Sequence, residues 1–285
     1  MPIIIENLSY KYSPKTPFEK EALQSISLRI EEGQFVGLIG RTGSGKSTLI
    51  QHLNGLLKAV SGTVTIDGMS ASGKEIKELR KKVGLVFQFP EYQLFEETVY
   101  KDIAYGVSKL GLSETEINER VVEAARSVGL GESVLGRSPF ELSGGQKRRA
   151  AIAGVVAMRT KYLVMDEPVS GLDPAGRNEI MSLISGLHRD YGVTVIIVSH
   201  NMSDIAKYVD RVLVLDNGTV AIDDTPENVF SMVDELESMG LRTLDVQYLL
   251  KKLRSIIPEL DDRALNVHQA ADIIEKWLPP PEGGS

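Results

Sequence analysis

The stretch Gly40–Ser47, GRTGSGKS, lies between a compact apolar run, FVGLI at Phe35–Ile39, and KSTLIQHLNGLL, whose Leu49, Ile50, Leu53, Leu56 and Leu57 recur at helical spacing. Strand, glycine loop and helix in that order limit the fold more than any other feature, because the pattern G-x-x-x-x-G-K-[ST] in this context turns backbone N–H groups inward around phosphate oxygens at a helix N-terminus. The residues Gly40, Arg41, Thr42, Gly43, Ser44, Gly45, Lys46, Ser47 and Thr48 are therefore candidate nucleotide ligands. Lys46 is expected to reach the terminal phosphates and Ser47 to offer its hydroxyl to Mg²⁺.

A second element completes the chemistry. The run YLVMDEP ends an apolar segment in Asp166 and Glu167. The first carboxylate is placed to hold the metal and the second to polarise a water toward the γ-phosphate, so the pair indicates a nucleoside triphosphate hydrolase. Other buried-strand candidates are Tyr162–Met165 and Val193–Val198, alternating with amphipathic stretches at Asn178–His188 and Met202–Tyr208. That alternation predicts an α/β domain on a mainly parallel sheet. Antiparallel strands are expected beside it, from the period-two pattern at Thr63–Gly68 and a hairpin around Asn217-Gly218. From about residue 91 to 159 the pattern is helical, as for an inserted subdomain, and two helices are expected near the end. One carries Val246, Leu249, Leu250 and Leu253, the other Val267, Ala270, Ala271, Ile274 and Leu278, with a frayed PPPEGGS tail beyond.

The stretch ELSGGQKRR, from Glu141, puts a Ser-Gly-Gly turn at the start of a helix, which makes a second phosphate-binding surface. One γ-phosphate does not need two such surfaces in one chain, whereas a dimer closing each over the other's nucleotide does. Here the sequence resembles the ATP-binding-cassette (ABC) ATPases. Leu142, Ser143, Gly144, Gly145 and Gln146 match the family's signature, GRTGSGKS its Walker A and YLVMDE its Walker B; Ser170, Gly171, Leu172 and Asp173 match the D-loop. Gln88 matches the Q-loop, His200 the switch histidine and Tyr12 the aromatic that stacks on adenine, with Tyr10 as the alternative. The resemblance covers residues 3 to 229 in order. It implies a P-loop ABC nucleotide-binding domain with an antiparallel β subdomain and an inserted helical subdomain. Glu167, His200 and Gln88 would be catalytic, Ser47, Gln88 and Asp166 would hold the metal, and ATP and Mg²⁺ would be required. Lys147, Arg148 and Arg149 read as a solvated basic face or as intramolecular partners.

The segment VFQFPEYQLF at Val86–Phe95 narrows the resemblance, because three phenylalanines and a tyrosine crowd around Gln88 and Pro90 in a chain with 6% aromatics. It is similar to the energy-coupling factor (ECF) importers of vitamins and metal ions, more narrowly to the second of their two paralogous ATPases. In that family Phe89, Pro90, Tyr92, Gln93, Leu94 and Phe95 would line the groove for a coupling helix of the membrane subunit. The implied partners are a paralogous ATPase in a heterodimer, a transmembrane coupling protein and a substrate-binding membrane subunit. A homodimeric ATPase of a cobalt or nickel importer and a soluble ATP-gated clamp on a macromolecule are the rival readings. Domains are expected at residues 1–229, the ATPase with its helical subdomain at about 91–159, and 230–285, a C-terminal helical dimerisation unit. A net charge of −7 argues against binding nucleic acid or anionic lipid through the overall field. No cysteine is present for disulfide or thiolate chemistry, and the N-terminus lacks the basic region of a signal peptide. The expected location is peripheral, on the cytoplasmic face of the membrane, through partner proteins.

Overall fold

The computed structural model describes residues 1–277. Along the chain come β1 (Ile3–Tyr12), β2 (Lys20–Ile30), β3 (Phe35–Ile39), α1 (Lys46–Leu53), β4 (Ser61–Ile66) and a short β5 (Met69–Ser70). Helix α2 (Ile76–Lys82) runs directly into β6 (Val83–Val86), and α3 (Val99–Val107), α4 (Glu114–Ser127) and α5 (Gly144–Val156) form the inserted layer. Then follow β7 (Tyr162–Asp166), α6 (Pro174–Tyr191), β8 (Thr194–Val198), α7 (Met202–Tyr208) and the hairpin β9 (Arg211–Asp216) and β10 (Thr219–Asp224). The helices α8 (Pro226–Ser231), α9 (Val233–Ser238), α10 (Asp245–Arg254) and α11 (Val267–Glu275) complete the order. Leu278 and the PPPEGGS tail lie outside the described residues.

The central sheet has the order β10-β9-β3-β8-β7-β6, parallel except for the β10 edge, and a second, antiparallel sheet has the order β2-β1-β4-β5. Every residue of β3, β6, β7 and β8 is buried, which is why these strands read as apolar runs without alternation. Their alternate side chains nevertheless enter two different cores. Val36, Leu38, Val164, Ile196 and Val198 pack toward the antiparallel sheet with Leu49, Ile50 and Leu53 of α1. Phe35, Ile39, Leu163, Met165, Val195 and Ile197 pack toward the helical layer.

Register sets the site. Leu38 lies beside Val198, Val198 beside Asp166, and Val86 beside Met165, so the carboxyl ends of β3, β8, β7 and β6 emerge side by side along one edge. Crevices at the carboxyl ends of parallel strands are where open α/β sheets bind ligands.

The C-terminal helices join the larger core: Val229, Phe230, Leu236, Leu250, Leu260, Ala264 and Ala270 all belong to the cluster that holds Phe35 and Met165. The expected boundary at residue 229 falls inside α8. The two anticipated apolar stripes are only partly covered, since Val246 and Leu250 are buried while Leu249 and Val267 are exposed. Among the described residues no helix is long and apolar enough to cross a membrane.

Candidate active site

The phosphate loop turns on glycines with positive φ: Gly40 at 152°, Gly43 at 83° and Gly45 at 107°. At Gly45 a side chain is excluded twice over, by the backbone angle and because a Cβ would come within 2.6 Å of the Ala22 carbonyl on β2. Lys46 folds back into the loop, donating from Nζ to the carbonyls of Gly40 (2.6 Å) and Arg41 (2.9 Å), and burial lowers its pKa. Ser44 is buried with its Oγ unpartnered. Together with the N-terminus of α1, these groups form a cradle whose donor chemistry fits phosphate oxygens. The Arg41 side chain departs from the others and lies against Gly240, so this residue serves the loop through its backbone.

On the facing strand ends, Ser47 donates to Asp166 Oδ2 at 2.7 Å. Burial raises the Asp166 carboxyl above the usual aspartate value, opposed by that hydrogen bond. Two adjacent hard oxygen donors suit a small divalent cation that takes its remaining ligands from phosphate and water. Next in sequence, Glu167 has φ 49° and donates its N–H to the Val198 carbonyl at 3.0 Å, which anchors the residue to β8 and aims its side chain into the crevice. His200 Nε2 lies 2.8 Å from Glu167 Oε1, and Gln88 Nε2 donates to Glu167 Oε2 at 3.2 Å. Three strand ends thus converge on one carboxylate.

These residues surround a cavity of about 470 Å³ lined by Tyr12, Thr42, Gly43, Gly45, Lys46, Ser47, Thr48, Gln88, Asp166, Glu167 and His200. Tyr12 stands at its mouth, 39% exposed, with its hydroxyl 3.1 Å from Thr48 Oγ1. Tyr10, the alternative, instead packs edge-on against His52, with ring centroids 4.9 Å apart. Sequence reasoning missed Lys20 and Ala22, which also line the cavity. Their only signal is pairing: Lys20 sits opposite Tyr12 in the β1–β2 ladder, a relation no local motif carries.

The signature and D-loop residues are not part of this cavity. Ser143 caps α5, accepting from the Gln146 N–H at 3.3 Å while Gln146 Oε1 accepts from the Ser143 N–H at 3.1 Å. Ser143 and Gly144 are exposed, whereas Leu142 is buried and roots the turn in the core. Asp173 caps α6 by accepting from the Gly176 N–H at 2.7 Å, with Ser170, Gly171 and Leu172 leading into it. In the aromatic segment, Tyr92 (85%) and Phe95 (61%) are exposed, with Phe89 and Gln93 also on the surface and Leu94 half-buried. Pro90 corrects the expected groove: it is buried, because it opens the 3-10 turn Pro90–Gln93 that packs on α5.

A nucleotide-sized crevice at the parallel strand ends, a lysine-bearing phosphate loop and a carboxylate held by a histidine and a glutamine define an ABC-type P-loop ATPase. Comparison with known proteins agrees: residues 23–170 match the ABC transporter family. The chain is 51% identical to the energy-coupling factor transporter ATP-binding protein EcfA2 of Acetivibrio thermocellus, covering 98% of this chain and 99% of that one. It is 52% identical to the EcfA2 of Clostridium perfringens, over 96% and 97%. Among solved structures it is similar to cbiO1 of Clostridium perfringens, part of the ABC transporter complex cbiONQ (TM-score 0.72, 37% identity, 87% and 98% covered). It is also similar to the ATP-binding cassette MJ0796, solved as a post-hydrolysis dimer with ADP and Pi (TM-score 0.73, 29% identity, 79% and 98% covered). The chain belongs to the ATP-binding proteins of energy-coupling factor transporters, within the ABC transporter family. It is an ATPase subunit coupled to transport.

Proposed function

We propose that the chain is one half of an ATPase heterodimer on the cytoplasmic face of the membrane, where it drives uptake of vitamins or other micronutrients. Its partners are a paralogous ATPase, a transmembrane coupling protein and a substrate-binding membrane subunit. One observation carries the dimer: the signature turn Ser143–Gly145 presents its helix N-terminus to solvent, away from the crevice that holds Lys46 and Glu167. A helix N-terminus with bare glycine backbone is useful to a phosphate only if a second cassette supplies one. The exposed Leu249 on α10, Ile256 in the turn after it and Val267 on α11 offer further surface for the partner.

In the proposed reaction Tyr12 packs on the adenine, the loop amides and Lys46 hold the phosphates, and Glu167 takes the proton from the attacking water. His200 and Gln88 hold the Glu167 carboxylate in position, as they already do at 2.8 and 3.2 Å. Ser47, Asp166 and Gln88 would hold Mg²⁺, which when bound neutralises charge on the phosphate oxygens. The D-loop, Ser170–Asp173, faces the partner beside the signature turn. Phe89, Tyr92, Gln93 and Phe95 receive the coupling helix. Their exposure within the seven residues Phe89–Phe95 favours this over a soluble clamp, since the three aromatics form an apolar anchor patch immediately after Gln88.

The test is Tyr92→Ala with Phe95→Ala in the chain expressed with candidate partners. Recovery of the membrane protein and the second ATPase with wild type, lost in the double variant while ATP affinity stays near normal, is the expected result. Recovery of one ATPase species alone would turn the reading to a homodimer. Recovery of both partners with the double variant would overturn the docking role of these aromatics.

A further inference from the structure

Arg148 sits one turn into the signature helix. The sequence groups it with its basic neighbours, but it is 4% exposed. Its Nε and Nη2 donate to Glu91 Oε2 (3.0 Å) and Oε1 (2.7 Å), a two-pronged pair with a carboxylate on the Pro90–Gln93 turn. The guanidinium also stands 5.9 Å from the Phe89 ring, and Nη1 lies 3.6 Å from where a Cβ on Gly171 would sit. One buried side chain on the helix that begins at Ser143 therefore grips the aromatic segment that follows Gln88 and stands beside Gly171 of the D-loop.

Stability alone does not call for such a pair, because well-packed apolar side chains in place of a buried ion pair are often as stable. The fork supplies geometry: two parallel hydrogen bonds fix both distance and direction between the elements they join. We propose that Arg148 and Glu91 form the positioning pair that carries movement of the docking turn to the signature turn and the D-loop. Neither residue touches nucleotide in its own crevice. Displacement of Tyr92 and Phe89 by a membrane partner shifts Glu91, and the rigid fork moves the N-terminal turn of α5 relative to the partner's ATP. Lysine cannot replace the arginine here, since a single ammonium fixes distance without direction.

The inference rests on the dimer reading above, and the test separates the two. In the assembled transporter, Glu91→Gln, Arg148→Lys and the double variant are compared for ATP hydrolysis, with ATP affinity measured on the isolated chain. Each single variant is expected to lose about tenfold in kcat with KM for ATP within about twofold, and the double variant to lose no more than either, because groups acting as a unit are non-additive. Losses that multiply in the double variant overturn the proposal, as does normal kcat in intact complexes of all three. If Arg148→Lys does not fold, Glu91→Gln alone decides it through the split between kcat and KM: a raised KM at unchanged kcat overturns it. Failure of the wild-type chain to pair with a second ATPase would sink the dimer reading instead.

Discussion

Replacing Glu167 with glutamine isolates the chemistry from the architecture. The two side chains have the same shape, and the backbone bond from Glu167 N–H to the Val198 carbonyl does not depend on the side chain, so the strand end keeps its form. One oxygen remains to accept from His200 at 2.8 Å. What disappears is the ability to take a proton. A positioned general base contributes roughly 10²–10⁴ in rate, which is about 3–5 kcal/mol of barrier. Binding should follow the opposite course. The groups that meet the phosphates, Lys46 and the loop amides, are untouched, and one negative charge beside the terminal phosphate is gone, so ATP affinity should be unchanged or tighter. The assay is phosphate release by the assembled ATPase beside a fluorescent-nucleotide titration of the isolated chain. The companion subunit carries the same substitution, to silence its own site. Turnover within about threefold of wild type, with the fold intact, would refute the assignment of Glu167 as base.

Three further predictions concern the frame around that chemistry. Gly45→Ala forces a Cβ to 2.6 Å from the Ala22 carbonyl at φ 107°, so it should cost roughly 1–3 kcal/mol in chemical denaturation and abolish ATP binding; Gly144→Ala meets nothing within 4 Å, so it should fold normally and impair only the assembled dimer. Asp67, on the β4–β5 turn, accepts from Lys161 at 2.8 Å and from Lys82, hydrogen bonds that hold its carboxyl well below the usual range. Its folded pKa being below the unfolded one, the stabilisation is complete above the ordinary aspartate value and is lost as pH falls through the depressed value. Asp67→Asn should therefore cost about 2 kcal/mol at neutral pH. The gap to wild type should narrow in acid, as denaturation across a pH series would show, and a constant gap would refute the linkage.

Local sequence determined the elements that carry chemistry. The glycines at 40, 43 and 45 dictate a loop only they can form, and Ser143 with Gln146 writes its own capping box. The apolar runs at Phe35–Ile39 and Thr194–Val198 required a sheet covered on both faces, as found. These features are short-range, resting on φ preferences and on hydrogen bonds spanning a few residues. Tertiary structure decided what no window of sequence contains. It set the register that brings Gln88, Glu167 and His200 from three strands onto one carboxylate, and the β1–β2 pairing that seats Lys20 at the cavity. It also buried Arg148 against Glu91, 57 residues away, deciding for an intramolecular partner where the sequence left a solvated basic face equally open. Pro90 went inward for the same reason, since whether a side chain faces solvent depends on the element that packs over it, here α5, and that contact is fixed only when the chain closes on itself.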